Sequence, residues 1–251
     1  MINVLINGAL GRMGKKVYEA CVLTDGVTPV CGVDIREDLS NPDFPVYSSF
    51  KGASQKVDVV IDFSSSASLN AVLEYITANQ TPAVLCSTGY DQQAVEKVNK
   101  ASEQTAIFRS ANMSLGVNIL IELVKKASKS LNGFDIEIIE KHHNQKVDSP
   151  SGTALMLADA VKEVAPEKFY VYGREGMCGK RDPNEIGIHA VRGGNIVGEH
   201  DVLFAGVSET ITLSHQATDR AVFAEGAVKA AKYIATKKNG LFNMSDMING
   251  K

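Results

Sequence analysis

The N-terminal segment constrains the fold more tightly than any other part of the chain. A short apolar strand, Ile2–Asn7, runs into the glycine loop 8–14, and a helix is predicted over Lys15–Leu23. A second strand, Val27–Val33, follows and ends at Asp34. This order of strand, glycine loop, helix and acid-ended strand is typical of a dinucleotide-binding βαβ unit. The glycines permit a tight turn through which a pyrophosphate can reach the helix N-terminus. A βαβ turn that binds no phosphate is the alternative.

Two side chains bear on the choice of cofactor. Asp34 can accept hydrogen bonds from the adenosine ribose and favours NADH, because the 2′-phosphate of NADPH would meet its carboxylate. Arg36 follows closely and could pair with that phosphate. The sequence therefore favours NADH and leaves NADPH open. Arg12 either contacts the pyrophosphate or is a solvated residue at the helix start.

Strand, loop and helix alternate through the first half of the chain. Largely apolar strands are predicted at 57–63, 81–86 and 105–109, and a surface loop with Pro42 is predicted over Asn41–Lys51. The alternation predicts an α/β fold with a Rossmann-type, doubly wound parallel sheet, whose ligands bind beyond the carboxyl ends of the strands. Ordinary turn chemistry explains any one strand end, but five polar ends at one edge favour a binding site. These ends carry Gly8–Met13, Asp34, Phe63-Ser64, Cys86-Ser87-Thr88 and Ser110-Ala111-Asn112-Met113.

The pattern changes after Asn112. A long helix is predicted over Leu115–Ser130, and the segment beyond it is rich in strands with hairpin-like turns. This composition predicts a second, α+β domain with a mixed, largely antiparallel sheet. The Gly- and Pro-bearing segment Tyr170–Asn184 is predicted to be a long loop, and a strong helix is predicted over Ala221–Thr236.

A polar cluster between residues 140 and 154 is the strongest candidate for chemistry. A half-buried strand is predicted upstream, over 134–139, and a helix downstream from Ala154. The histidine pair after Glu140 can exchange a proton near neutral pH, and Lys146 can hold a carboxylate or donate a proton. The Ser-Gly-Thr turn before the helix offers free N–H groups to an anion. Together these groups predict a site for a small acidic substrate that changes protonation as it reacts.

Simpler explanations exist for each part of this cluster. A histidine pair is often only a polar loop, and a Ser-Gly-Thr turn is often only a helix N-cap. A metal site is disfavoured, because adjacent histidines on a regular element do not point at one ion and no His-Glu-x-x-His or Cys-x-x-Cys spacing occurs.

Composition narrows the classes of partner. The chain has 251 residues with a net charge of −3, so it lacks the basic excess that nucleic-acid binding needs. Its four cysteines have no framework spacing, which is typical of a reducing compartment. No signal peptide and no apolar run long enough to span a membrane are seen. The expected location is the cytoplasm.

Several motifs stand in an order that resembles the dihydrodipicolinate reductase family over nearly the whole chain. They are Gly8–Gly14, Asp62-Phe63-Ser64, Ser110–Asn118, Glu140–Ala154 with its His142-His143 pair, and Arg192-Gly193-Gly194 followed by Gly198-Glu199-His200. The histidine-pair motif is highly specific, whereas the glycine loop alone is not. The resemblance implies an NAD(P)H-dependent reduction of 4-hydroxy-tetrahydrodipicolinate to tetrahydrodipicolinate in lysine and diaminopimelate biosynthesis. In that reaction a hydride goes to ring C4 and a proton to C3.

The resemblance also implies roles for individual residues. His142 and Lys146 match the catalytic proton donors, and His143, Gly152 and Thr153 match substrate-binding positions. The expected substrate is a small dicarboxylate, and the expected cofactor is NADH or NADPH. The cofactor contacts are expected at Gly8, Ala9, Leu10, Gly11, Arg12, Met13, Asp34, Cys86, Ser87, Thr88, Ser110, Ala111, Asn112 and Met113.

The domain organisation and assembly follow from the same resemblance. The C-terminal segment is expected to return to the first domain. This gives a dinucleotide-binding domain of residues 1–112 and 220–251 and a substrate-binding and oligomerisation domain of residues 113–219. A homotetramer is expected to form through the sheet of the second domain.

The chain departs from the family pattern at three places. Cys86-Ser87-Thr88-Gly89 stands where Gly-Thr-Thr-Gly is usual, Gln216 replaces a basic residue, and Tyr233 replaces a tryptophan. Two other functions are considered. A semialdehyde dehydrogenase would use Cys86 as its nucleophile and would need a thiolate there. A nucleotide-sensing regulator would keep the fold without the chemistry.

Overall fold

The computed structural model describes residues 1–41 and 43–250, so Pro42 of the predicted surface loop lies outside the described residues. The chain forms two compact units, Met1–Leu115 with Arg220–Lys251, and Gly116–Asp219. The C-terminal segment therefore belongs to the first unit. Among the described residues, no helix is both long enough and apolar enough to cross a membrane.

The described residues form twelve strands and seven α-helices. The strands are β1 Ile2–Asn7, β2 Val27–Val33, β3 Val46–Tyr47, β4 Val59–Asp62, β5 Ala83–Leu85, β6 Ala106–Arg109, β7 Asp135–His142, β8 Phe169–Tyr172, β9 Glu185–Arg192, β10 Gly198–Ala205, β11 Thr210–Ala217 and β12 Gly240–Phe242. The helices are α1 Arg12–Val22, α2 Leu69–Asn79, α3 Gln92–Ser102, α4 Leu115–Ser130, α5 Gly152–Val164, α6 Ala221–Ile234 and α7 Met244–Ile248.

The first unit is built on a parallel sheet of seven strands in the order β12-β6-β5-β4-β1-β2-β3. Its central strands are apolar because both faces are covered; Leu5 and Ile6 of β1 are fully buried on opposite faces. One face packs against α1 and α6, and the other packs against α2 and α3. The predicted doubly wound α/β fold is confirmed.

Both edge strands of this sheet lie in segments for which no strand was expected. β3 lies within the predicted surface loop 41–51 and pairs with β2. β12 follows the last predicted helix and pairs with β6. Edge strands are short, so their local sequence carries little alternation.

A close backbone contact fixes one end of the sheet. Gly226, in the middle of α6, lies so near the loop after β6 that a Cβ atom there would be 1.7 Å from the carbonyl oxygen of Met113. No side chain fits that space, so the helix backbone packs directly against the loop 110–113.

The second unit contains a mixed sheet in the order β11-β10-β7-β9-β8. The mixed sheet is confirmed, but its pairings are evenly divided: β7 and β11 run antiparallel to β10, while β7 and β8 run parallel to β9. β8 begins where a long loop was predicted over Tyr170–Asn184, so that prediction is wrong at its start. One face of the sheet packs against α4 and α5 through an apolar core.

Candidate active site

The strand that leads into the polar cluster is longer than the sequence pattern indicated. β7 runs on to His142, and its buried residues alternate as Ile136, Ile138, Glu140 and His142. The prediction that ended this strand at Ile139 is therefore wrong. Glu140 and His142 lie on the face that packs against the helices, where the alternation predicts apolar residues.

Glu140 is a fully buried carboxylate, and four donors surround it. Its Oε2 atom lies 2.6 Å from His142 Nδ1 and 2.7 Å from Arg192 Nη1. Its Oε1 atom accepts hydrogen bonds from Arg192 Nη2 at 2.7 Å and from the backbone N–H of Ser151 at 3.0 Å. The side chain itself is 0% exposed. One carboxylate thus connects β7, β9 and the start of α5.

The charge of Glu140 is maintained by these donors. Burial by itself raises the pKa of a carboxyl group, because it removes water from the charged form. Hydrogen bonds from Arg192, His142 and the Ser151 backbone outweigh that effect, and the pKa of Glu140 lies below its usual range. The group therefore remains an acceptor at neutral pH.

A second buried histidine contacts both His142 and the N-cap residue of α5. The ring of His200, on β10, meets the ring of His142 edge to face at 5.2 Å between centroids. Its Nε2 atom lies 2.9 Å from Ser151 Oγ, which also accepts the backbone N–H of Ala154 and so caps α5. Burial and the nearby His142 lower the pKa of His200 to about 4, so the ring is neutral at physiological pH.

The first turn of α5 is partly exposed. Ser151 is its N-cap, and Gly152 and Thr153 are its first helical residues. Gly152 is exposed, and apart from its chain neighbours and its own helix backbone no atom of the described residues lies within 4 Å of where its Cβ would be. The N–H groups at the start of a helix carry the positive end of the helix dipole, which favours a bound carboxylate.

Lys146 lies in the loop between His142 and α5. Its ammonium group is 2.8 Å from both carboxylate oxygens of Asp148, and this pairing is the main cause that lowers the pKa of Asp148. The backbone carbonyl of Asp148 in turn accepts a hydrogen bond from Arg192 at 2.9 Å. Arg192 thus contacts both the loop that carries Lys146 and the Glu140 carboxylate.

The family resemblance matched His142 and Lys146 to proton donors, but it did not identify the residues that contact His142. Glu140, Arg192, Ser151 and His200 were not among the predicted site residues. The continued alternation from Ile136 to His142 was the available signal for Glu140. Arg192 and His200 come from other strands, so no local pattern connects them to His142. His143, the second of the pair, is partly exposed in the loop after β7.

In the first unit, the glycine loop joins β1 to α1 with very little space. Gly8 has a φ of +79°, and a Cβ atom there would be 2.9 Å from the Phe63 carbonyl oxygen. A Cβ atom on Gly14 would be 2.1 Å from the Gly8 carbonyl oxygen. Gly11 is the N-cap of α1 and has no side chain to cover the helix N-terminus. These residues leave the cradle that a pyrophosphate needs.

A cavity of about 940 Å³ opens beside this loop, and Gly8, Gly11 and Asp34 line it. Asp34 Oδ2 accepts the backbone N–H of Leu10 at 3.1 Å, so the acid lies directly over the glycine loop. The guanidinium Nε of Arg36 is 3.8 Å from Asp34 Oδ1. Four other cofactor candidates belong to the glycine loop or the first turn of α1 but do not line this cavity: Ala9, Leu10, Arg12 and Met13. The candidates at 86–88 and 110–113 follow β5 and β6 at the same sheet edge and do not line it either.

Cys86 is a core residue and not a nucleophile. Its side chain is 8% exposed and packs in the core of the first unit. Burial and the nearby Asp62 raise the pKa of the Cys86 thiol well above its usual range. A semialdehyde dehydrogenase needs a thiolate here, so this alternative is disfavoured.

Asp62, also buried, organises the loop beside Cys86. One of its carboxylate oxygens accepts Asn7 Nδ2 at 2.8 Å and the hydroxyl of Ser64. The other accepts the Ser87 hydroxyl at 2.9 Å. The ends of β1, β4 and β5 are held together by this network, which the sequence analysis did not predict.

Comparisons with known proteins agree over the whole chain. Residues 2–113 match the family model described as dihydrodipicolinate reductase, N-terminus, and residues 116–248 match the one described as dihydrodipicolinate reductase, C-terminus. The chain is 51% identical over 249 residues to the 4-hydroxy-tetrahydrodipicolinate reductase of Caldanaerobacter subterraneus subsp. tengcongensis, covering 99% of this chain and 98% of that protein. It is 48% identical to the Clostridium tetani reductase of the same name, covering 99% and 98%. Among solved structures, dipicolinate-bound dihydrodipicolinate reductase from Paenisporosarcina sp. TG-14 is similar in fold, with a TM-score of 0.82, 23% identity and 97% of each chain covered.

Replacing His200 with glutamine should make the free energy of unfolding depend less on pH in the acidic range. The folded protein binds a proton at His200 only near pH 4, because its pKa is lowered to about 4, whereas an unfolded histidine titrates near about 6.5. Between these values the unfolded state binds the extra proton, so the folded state loses stability as the pH falls. From about pH 7 to pH 4, the wild type should lose roughly 3 kcal/mol more of its free energy of unfolding than H200Q. Urea unfolding of both proteins measures this, and equal losses would contradict the assignment.

Proposed function

The chain belongs to the dihydrodipicolinate reductase family, and from this we propose that His142 is the proton donor of its reaction. The reaction is the reduction of 4-hydroxy-tetrahydrodipicolinate with NAD(P)H in lysine biosynthesis. It requires a hydride at ring C4 and a proton at the neighbouring carbon C3. The observation that carries the proposal is the hydrogen bond of 2.6 Å between His142 Nδ1 and the buried Glu140 carboxylate.

The cofactor is held by the first unit. Its residues fit a dinucleotide, because Gly8 and Gly14 leave a cradle that a Cβ atom would fill and a cavity opens beside Asp34. When bound, NAD(P)H supplies the hydride. The loops at 86–88 and 110–113 are proposed as further contacts at the same sheet edge.

The substrate is held by the second unit. The solved relative with dipicolinate bound supports a small dicarboxylate as ligand. One carboxylate of the substrate is proposed to bind the N–H groups of Gly152 and Thr153 at the start of α5, with Lys146 as its cation. Lys146 is then shared between the substrate and Asp148, which holds it now at 2.8 Å. His143 is proposed as a further substrate contact.

The proton comes from the second nitrogen of His142. Nε2 makes no hydrogen bond with the residues that the structure describes, while Nδ1 is engaged by Glu140. Hydride addition at C4 leaves electron density on the conjugated ring, and His142 Nε2 gives its proton to C3. Lys146 lies nearby in sequence and is the second candidate donor.

The variant His142→Gln should lower kcat by about 10²- to 10⁴-fold with only a modest change in KM, because a proton donor acts in the transition state. The substrate is generated in situ by the pathway synthase from pyruvate and aspartate semialdehyde, and the loss of NADH absorbance is followed. His189→Gln is the matched control, since His189 lies on the opposite face of the sheet and pairs with Glu137 at 2.7 Å. A kcat near that of the wild type for H142Q would remove His142 from this role.

NADH is proposed as the preferred cofactor, and Arg36 as the residue that permits NADPH. Asp34 disfavours a 2′-phosphate, while Arg36 is 68% exposed and able to reach one. Arg36→Ala should lower kcat/KM for NADPH about tenfold, the value of one lost charge-assisted hydrogen bond, and leave the value for NADH unchanged. The same assay with each cofactor measures this. Equal losses with both cofactors would show that Arg36 has no contact with the 2′-phosphate.

A homotetramer is proposed to form through the open face of the mixed sheet in the second unit, which is the face opposite α4 and α5. That face alternates apolar residues with ion pairs and includes Val191 and Phe169, which are 46% and 44% exposed. Both would be buried by another copy of the chain. Sedimentation equilibrium should give four chain masses, and a monomer at micromolar concentration would contradict the proposal.

All four cysteines are free, which supports the cytoplasm as the location.

A further inference from the structure

Two glutamates lie on opposite faces of β7, and each contacts a histidine. Both are also clamped by an arginine, which here means that one guanidinium donates hydrogen bonds to both carboxylate oxygens. Glu140, on the buried face, contacts His142 at 2.6 Å and is clamped by Arg192. Glu137, on the open face, contacts His189 at 2.7 Å and is clamped by Arg174. The two clusters are alike in chemistry, but only the first includes the proposed proton donor.

The ionised state of Glu140 decides which nitrogen of His142 carries a proton. An ionised carboxylate can only accept hydrogen bonds. With Arg192 bound to both oxygens at 2.7 Å, Oε2 remains an acceptor, and the hydrogen on the 2.6 Å contact must belong to His142 Nδ1. Nε2 is then the nitrogen that gains and loses a proton. Without the carboxylate, either tautomer would be open to His142.

Arg192 has its own anchors, so the clamp is rigid. His142 and Arg192 are direct neighbours at the ends of the parallel strands β7 and β9. The guanidinium also donates to the carbonyl of Val191 at 2.8 Å and to that of Asp148 at 2.9 Å. It therefore fixes Glu140 and the loop of Lys146 in one arrangement.

We propose that Glu140, held by Arg192, is the positioning residue that fixes the tautomer and orientation of His142. Glu140 does not touch the substrate. It acts through His142, by holding Nδ1–H and by stabilising the imidazolium from which Nε2 donates its proton. The inference rests on the proposed role of His142 and adds the two residues that make that role possible.

The test compares Glu140→Gln with Glu137→Gln. Each replaces an arginine-clamped glutamate on β7 with a neutral amide, so the costs to stability are comparable in kind. E140Q should lower kcat about 10- to 100-fold with KM changed less than about threefold. The alkaline limb of its pH profile should move to lower pH, because an amide stabilises the imidazolium less than a carboxylate does. E137Q should keep the pH profile of the wild type.

Nitrogen-15 NMR of the histidine side chains gives a readout that does not depend on activity. In its neutral form, His142 of the wild type should carry its proton on Nδ1, and E140Q should show a mixture of tautomers or the Nε2–H form. A wild type with Nε2–H at His142 would overturn the inference. So would an E140Q protein with the kcat, pH profile and tautomer of the wild type.

A second variant decides the matter if E140Q does not fold. Arg192→Lys keeps the charge but removes the two-pronged clamp, and it should lower kcat and move the pH profile in the same direction. An R192K enzyme with the kcat and the pH profile of the wild type would show that Arg192 does not position Glu140 for the reaction. Failure of the proposed function is distinguishable, because it would appear as a fully active H142Q enzyme while the NMR readout still reported the Glu140 contact.

Discussion

The second unit depends on a single buried charge. Glu140 has no access to water, and an ion in that position is tolerated only when protein groups replace its hydration. Its donors come from three places: a neighbour on its own strand, an arginine on β9 and the backbone at the start of α5. Removing one partner from a buried ion pair typically costs about 3–5 kcal/mol. Without its partners, the buried Glu140 carboxylate would destabilise β7. With them, it fixes β7, the start of α5 and His142 relative to one another.

In the first unit, the glycine loop is positioned mainly by close backbone contacts. Gly8, Gly14 and Gly226 each lie where a Cβ atom would approach another backbone too closely. These contacts hold the glycine loop against α1 and against the residues after β4, and they hold α6 against the loop after β6. A cofactor with a long, charged diphosphate is recognised by N–H groups and a helix dipole, which the backbone alone provides. The proposed acid–base chemistry requires side chains instead, and the residues proposed for it lie in the other unit.

Sequence reasoning succeeded where the signal was local. The glycine loop between β1 and α1, the acid at the end of β2 and the Ser-Gly-Thr start of α5 each lie within a few residues of the elements that they define. It failed where the partner is distant in sequence. Arg192 joins Glu140 only because β7 and β9 are adjacent in the sheet, and a glutamate on an apolar face looked like the end of a strand. The edge strands β3, β8 and β12 were missed for a related reason, since pairing with a neighbour defines them more than their own sequence does.

The most direct test of this account is a crystal structure of the protein with NADH and pyridine-2,6-dicarboxylate. The account predicts one carboxylate of the ligand within hydrogen-bond distance of the Gly152 and Thr153 N–H groups. It also predicts His142 Nε2 facing the ligand ring, with the contact between Nδ1 and Glu140 retained. A ligand bound away from the start of α5, or a His142 ring turned so that Nε2 meets Glu140, would contradict it.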